Sequence, residues 1–197
     1  MDIHDDMIRR TMRHVQVMAQ PDPARPETAP PFPDDWFDLP QTLWADLGAM
    51  TYLLSLTGWH RRLPLADIAA MLEPPLRLGQ YRIFRSAGGH PRAFLTWAGL
   101  TAEAEYDFAI RHHPLRPTDW NAGASKWMVT LAAPFGHVEQ IVPMLTANPR
   151  ETRVRTLWHN RTGERYRILE WSRPLGESVV QVRSYGVAQF ARILTGA

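Results

Sequence analysis

The chain contains no cysteine. That absence excludes a disulfide framework, a thiolate-held metal and a cysteinyl thioester intermediate. Any covalent catalysis would have to use another nucleophile. Lysine is almost missing as well: Lys126 stands alone among 22 basic residues, the rest being arginine. Codon bias in a GC-rich genome is one reading of this, and a surface of rigid guanidinium forks for phosphate or carboxylate partners is another. No apolar run approaches the ~20 residues that span a bilayer, and Met1–Asp6 lacks the basic-then-apolar layout of a secretion signal. The expectation is a cytoplasmic protein with no stable membrane span.

Several chemical signatures are missing too. The chain has no G-x-S-x-G elbow, no G-x-x-x-x-G-K-[ST] loop and no G-x-G-x-x-G. The acetyltransferase pyrophosphate loop R-x-x-G-x-G/A is approached at Arg85–His90, but His90 breaks it and the segment reads better as a hairpin turn. No H-E-x-x-H is present. His112 and His113 fall on an expected helix, where neighbours point about 100° apart and do not chelate as a pair, so no metal is expected. His137 and His159 read as solvated or structural. The arginines are spread along the chain beside 20 acidic residues, at a net charge of only +2, which fits nucleic acid poorly.

What is present suits one domain with an extension: 197 residues, 45% apolar, with eight tryptophans for a core. Ile3, Met7, Ile8, Met12 and Val15 recur at helical spacing among arginines. Six prolines follow between Pro21 and Pro33, as in a semi-rigid linker. Residues 1–36 are therefore expected to be a flexible extension with a short amphipathic helix, and 37–197 the compact domain.

Asp38 and Gln41 resemble the ends of a capping box with Pro40 in the first turn. A helix should run from about 40 to 56, burying Leu43, Leu47, Met50 and Leu54, until Gly58 stops it and leaves His60 on the loop beyond. A second helix (65–72) should end before Pro74-Pro75. A hairpin is expected from 80–86 and 91–99 around Ala87–His90, then a helix over 101–113 with Thr101 as cap. The next strand is 126–133. A short or kinked helix over 137–147, strands at 151–158, 164–171 and 177–184, and a terminal helix at 185–194 complete the chain. Early helices followed by a mostly antiparallel sheet with a helix between strands predict an α+β fold.

Three segments carry the chemistry. Thr57-Gly-Trp-His60 leaves an imidazole just past a helix end, where a neutral ring can take a proton from an attacking amine; alone, it is an ordinary surface histidine. Leu95-Thr-Trp97-Ala-Gly-Leu100 reads as a strand. Asp119-Trp120-Asn-Ala-Gly123-Ala-Ser-Lys126-Trp127 leads through Thr130 into Ala133-Pro134-Phe135-Gly136, a strand entering a proline turn.

In this order the three resemble the toxin-activating lysine acyltransferases, which attach fatty acyl chains to lysines of RTX protoxins. The likeness covers about residues 45–150 and extends through Leu47-Gly48, Pro64, Pro74 and Gln80-Tyr81. It implies a GNAT-like acyltransferase fold, His60 as catalytic base and Thr57 beside it near the substrate. The donor would be the acyl-phosphopantetheine of acyl carrier protein, and nothing would be bound permanently; the missing CoA loop agrees. Direct transfer would form an amide on a lysine-type amine, with a backbone N–H near a strand bulge at 130–134 stabilising the oxyanion. Lys126 is a candidate for the donor phosphate or for a salt bridge. Trp97, Phe94 and Phe135 are candidates for the acyl-chain wall or for core. Asp119, Trp120, Trp127, Pro134 and Gly136 are assigned supporting roles.

Thr130 departs from the pattern, because the family places an aspartate there as second catalytic residue. Threonine can orient an imidazole but cannot stabilise an imidazolium by charge. Three consequences stand open: another carboxylate such as Asp67 or Asp119 substitutes, the acceptor needs less help, or activity is lost. The acceptor is accordingly a protoxin or a small ribosomal precursor peptide. A non-catalytic module binding carrier protein or peptide is the rival of another class. A homodimer is compatible with all of these.

Overall fold

The computed structural model describes residues 40–141, 152–160, 163–173 and 180–196. The expected N-terminal extension and the later part of the 137–147 helix lie outside them.

The first helix, α1 (Gln41–Ser55), starts after Pro40, which supplies no side-chain cap. It buries Met50, Leu53 and Leu54, with Leu43 and Leu47 packed alongside, at the i, i+3, i+4 spacing of one helix face. Asp46 ties it to the sheet by accepting from Tyr81 Oη and Arg85 Nη2, both at 2.8 Å. Helix α2 spans Leu65–Leu78 and does not end before Pro74-Pro75 as expected. Those prolines cannot donate to the carbonyls of Ala70 and Met71. Both are buried with Leu72 and Leu76, so packing against α1 and the sheet outweighs the lost ladder bonds.

The sheet has six strands in sequence order: β1 (Tyr81–Arg85), β2 (Pro91–Leu100), β3 (Ser125–Ala132), β4 (Arg153–His159), β5 (Tyr166–Ser172) and β6 (Gln181–Tyr185). All neighbours are antiparallel except β3 and β4, which run parallel. Helix α3 (Ala102–Ala109) lies between β2 and β3, and α4 (Val187–Thr195) follows β6. This is the α+β class expected, in an order consistent with a GNAT-like fold. Among the described residues no helix is long and apolar enough to cross a membrane.

Helix α3 is shorter than the 101–113 predicted. Thr101 caps it by accepting from Ala104 N at 3.2 Å, but it ends at Ala109, and His112 takes a left-handed φ of +56°. His112 and His113 therefore do not share a helix, and the helical argument about their directions does not apply. The later strands begin two to four residues beyond their expected starts, because apolar alternation fixes faces better than ends.

Strand alternation sorts the core. Phe94 and Ala132 meet α1 and α2, while Ala98, Leu100, Trp127 and Ile168 meet α3 and α4; these share one face. Ala93, Leu95, Met128 and Trp171 form the opposite face with Ile141.

Candidate active site

The end of α1 builds the site. Thr57 N bonds to Leu54 O at 3.0 Å, and its hydroxyl does the same at 2.8 Å. Gly58 and Trp59 turn the chain into a 3-10 turn over His60–Arg62, so His60 sits on a defined turn, not on an irregular loop. Pro64 then favours extended backbone at Leu63, and the turn stops there.

Thr57 also decides the proton arrangement of His60. Its Oγ1 lies 2.8 Å from His60 Nδ1. A hydroxyl has one proton, and Leu54 O takes it. Thr57 must therefore accept from His60, which makes Nδ1 the protonated nitrogen and leaves Nε2 with its lone pair. Burial, and then the charge His159 can carry, lower the imidazole pKa from 6.5 to about 4. At neutral pH the ring is an uncharged acceptor.

Trp59 joins this turn to the far hairpin. Its ring meets His60 edge-on at 4.9 Å and lies nearly parallel to His159, on β4, at 6.3 Å. The β4–β5 turn accepts it through Gly163, where a Cβ would stand 2.8 Å from Trp59 Nε1 and φ is +79°. Any side chain there would displace the tryptophan.

Thr130 is buried on β3, and its N–H donates to Thr96 Oγ1 at 3.2 Å. It alternates with Ala132, which packs against α1, so Thr130 lies on the sheet face from which His60's turn is reached. The register between β2 and β3 slips just before it, pairing Thr96 with Thr130 but Trp97 with Met128. Val129 is thus the extra residue of a bulge. The bulge falls at 129, ahead of the expected 130–134, and the Thr130 N–H beside it is taken by Thr96 Oγ1.

Beside the bulge the sheet opens. β3 and β4 pair only at Trp127–Arg155 and Met128–Thr156. Past these positions the strands run on, to Ala132 and His159, without pairing with each other. Their C-terminal ends bound a wedge with Thr130 on one side and Trp158 and His159 on the other.

The remaining expected residues scatter. Asp119 accepts three hydrogen bonds from Arg116, from the backbone N and two guanidinium nitrogens at 2.9–3.1 Å. The Arg116 guanidinium holds its carboxyl below the usual range, so it caps its own turn. Asp67 is exposed in the first turn of α2. Trp120 and Trp127 are buried core. Gly123 packs under β2, where a Cβ would lie 2.2 Å from Leu100 O. Lys126 pairs with Gly99 at the opposite end of β3 from the wedge; among the described residues it makes no ion pair. Trp97 is half-buried on the face away from His60. Phe135 is exposed beneath Arg92, 5.2 Å from the guanidinium carbon, with Pro134 and Gly136 forming the turn around it. Phe94 is buried core against α1.

Two clusters escaped sequence reasoning. His112 and His159 bring their Nε2 atoms to 3.1 Å, so His159 is paired rather than merely solvated; the two lie far apart in sequence and no spacing signals the contact. Glu105, Arg155 and Glu170 form a buried ionic group, which alternation alone would have read as polar positions.

The sequence pattern of the RTX toxin acyltransferase family matches residues 40–172, more than half of the chain. The chain belongs to this family. Among its relatives, the leukotoxin-activating lysine-acyltransferase of Aggregatibacter actinomycetemcomitans is 35% identical over 91 residues, covering 46% of this chain and 54% of that protein. The protein-lysine myristoyltransferase of Escherichia coli is 31% identical over 90 residues, 46% and 52% of the two chains. An uncharacterised protein of Synechocystis is 30% identical over 103 residues, 52% of this chain and 70% of that one. The chain spans about half the length of the toxin-activating relatives it matches. All of the site residues described above lie inside the family-matched region.

Proposed function

We propose that this protein is an N-fatty-acyltransferase that moves an acyl chain directly from acyl carrier protein to a lysine-type amine. The observation that carries this reading is the His60–Thr57–Leu54 chain, which fixes the imidazole tautomer and turns its basic nitrogen away from the anchor. His60 Nε2 takes a proton from the acceptor amine as nitrogen attacks the thioester carbonyl. The amide C–N bond forms, the C–S bond breaks, and the phosphopantetheine thiolate takes the proton back from the imidazolium. The wedge between β3 and β4 suits a thioester arm, and its bulge suits an oxyanion donor. Positioning supplies much of the rate.

The lowered basicity of His60 and the threonine at position 130 mean that the ring accepts its proton without help from a carboxylate at that position. The toxin-activating relatives make a protoxin lysine the leading acceptor, with acyl carrier protein as the second partner. The protein would act where carrier protein and unmodified acceptor are made, in the cytoplasm.

Intact-mass spectrometry of protoxin and precursor-peptide acceptors, incubated with a panel of acyl carrier protein thioesters, tests the reading. A single acyl-mass gain that falls about 10²–10⁴-fold in rate in His60→Ala supports it. Carrier-protein binding with no gain on any acceptor refutes it in favour of a binding module, and a gain confined to peptides reassigns the acceptor.

A further inference from the structure

We propose that His159, sharing a hydrogen-bond proton with His112, is a positioning residue that holds His60 in its free-base form. The proposal rests on the reading of His60 as the base. It begins from a contact that needs explaining: two imidazole Nε2 atoms 3.1 Å apart, from β4 and from the loop after α3. One ring donates there and the other accepts, which couples their tautomers.

The loop is shaped to make the contact. His112 is the one non-glycine residue with positive φ among the described residues, a conformation that costs free energy unless its surroundings impose it. Its ring stacks on Tyr166 at 4.6 Å and 20°. Tyr166 in turn donates to Ala109 O at 3.0 Å, closing β5 onto the end of α3. His159 is the cross-strand partner of Tyr166, so the pair is braced from both sides.

The pair has room for one added proton and no second. The first goes to the free nitrogen of the donor ring and strengthens the shared bond; another would set two N–H groups face to face. The resulting single positive charge is shared by the pair, and through His159 it reaches Trp59, whose ring also meets His60. Like charge disfavours an imidazolium at His60, and in this chain no aspartate at position 130 offsets it.

Among the described residues, the titratable groups facing His159 are His112, Tyr166 and His60. Burial raises the Tyr166 phenol, which stays neutral. Arg61, Arg62 and Glu164 stand exposed on the two flanking turns. The Asp107–Arg111 pair at the end of α3 is closed on itself at 2.8 Å. Burial, followed by the neighbouring imidazole, lowers both His60 and His159.

Titration of histidine-labelled full-length protein by NMR tests this without a turnover assay. His159→Phe keeps a ring on Trp59 and removes the charge. It should raise the His60 midpoint by about half a unit or more, and the acid limb of the transfer rate should move with it. His112→Asn tolerates the left-handed backbone and should move the midpoint the same way by less. A His60 midpoint unmoved in both variants, with near-UV circular dichroism intact, overturns the proposal. If His159→Phe unfolds, His112→Asn decides alone. Transfer surviving in His60→Ala would refute the base assignment, while the midpoints would still report the coupling.

Discussion

Arg155 and His60 lie against the same, helix-bearing face of the sheet, yet their surroundings follow opposite rules. Arg155 is enclosed by charge. It donates to Glu105 and, at 2.7 Å, to Glu170. Ser125 and Trp127 also donate to Glu105, at 2.8 and 2.9 Å, and Tyr185 donates to Glu170. The guanidinium sits 5.1 Å from the centre of the Phe190 ring. That cluster joins α3 to four strands by hydrogen bonds and to α4 through the Phe190 ring. Among the described residues, His60 has one anchored nitrogen, one nitrogen without a hydrogen-bond partner, and the imidazole of His159 as its charged neighbour in place of a carboxylate. The contrast separates roles: saturated charge fixes a structure, and an unsaturated neutral ring is left able to react.

Five substitutions or conditions would break or sharpen this contrast, the first most severely. Arg155→Ala leaves two buried carboxylates without their partner and should cost roughly 3–5 kcal/mol in chemical denaturation. His60→Ala should barely change stability at neutral pH while slowing transfer about 10²–10⁴-fold.

Acid exposes the second difference. A histidine whose folded pKa is about 4 against 6.5 unfolded binds its proton more readily in the unfolded chain. Stability attributable to His60 is therefore intact above about pH 6.5, falls as the pH drops towards 4, and levels off below. Comparing wild type with His60→Ala across that window should isolate a loss of at most roughly 3 kcal/mol.

Thr130→Asp brings a carboxylate to the face that His60 shares. It should raise the His60 midpoint by about one unit, making the reactive region resemble the charged one; NMR titration reads this directly. The smallest effect is Thr57→Val, which removes the acceptor for Nδ1–H. Loss of one hydrogen bond of about 1 kcal/mol should slow transfer about five- to tenfold, with Thr57→Ser restoring it.

Much of the fold was legible because it depends on short-range patterns. The apolar face of α1, the Thr101 cap, the hairpin around Ala87–His90 and the strand through Lys126-Trp127 all follow from neighbours in sequence. α2 runs through Pro74-Pro75 against the local signal, since the reason for tolerating those prolines is burial against other elements. α3 is shorter than its sequence suggests because Tyr106 to His113 lacks a strong stop signal, and the left-handed His112 is held by a tyrosine on β5. At the site, Thr57 and His60 stood out as a pair only through the family resemblance. The part Thr57 plays became clear only when Leu54 O was seen to take its proton. Asp119, an open candidate for the missing carboxylate, is held by Arg116.

The sequence by itself determined the family, the α+β class, the absence of thiol chemistry and the placing of an imidazole just past a helix end. These rest on composition, on periodicity and on residues that stand together along the chain. Only the tertiary structure decided which nitrogen of His60 is free, that Trp59 seats in the hollow at Gly163, and that His159 meets His112. Tautomers and pKa values depend on what surrounds a ring in three dimensions, and those surroundings come from strands and turns up to a hundred residues away.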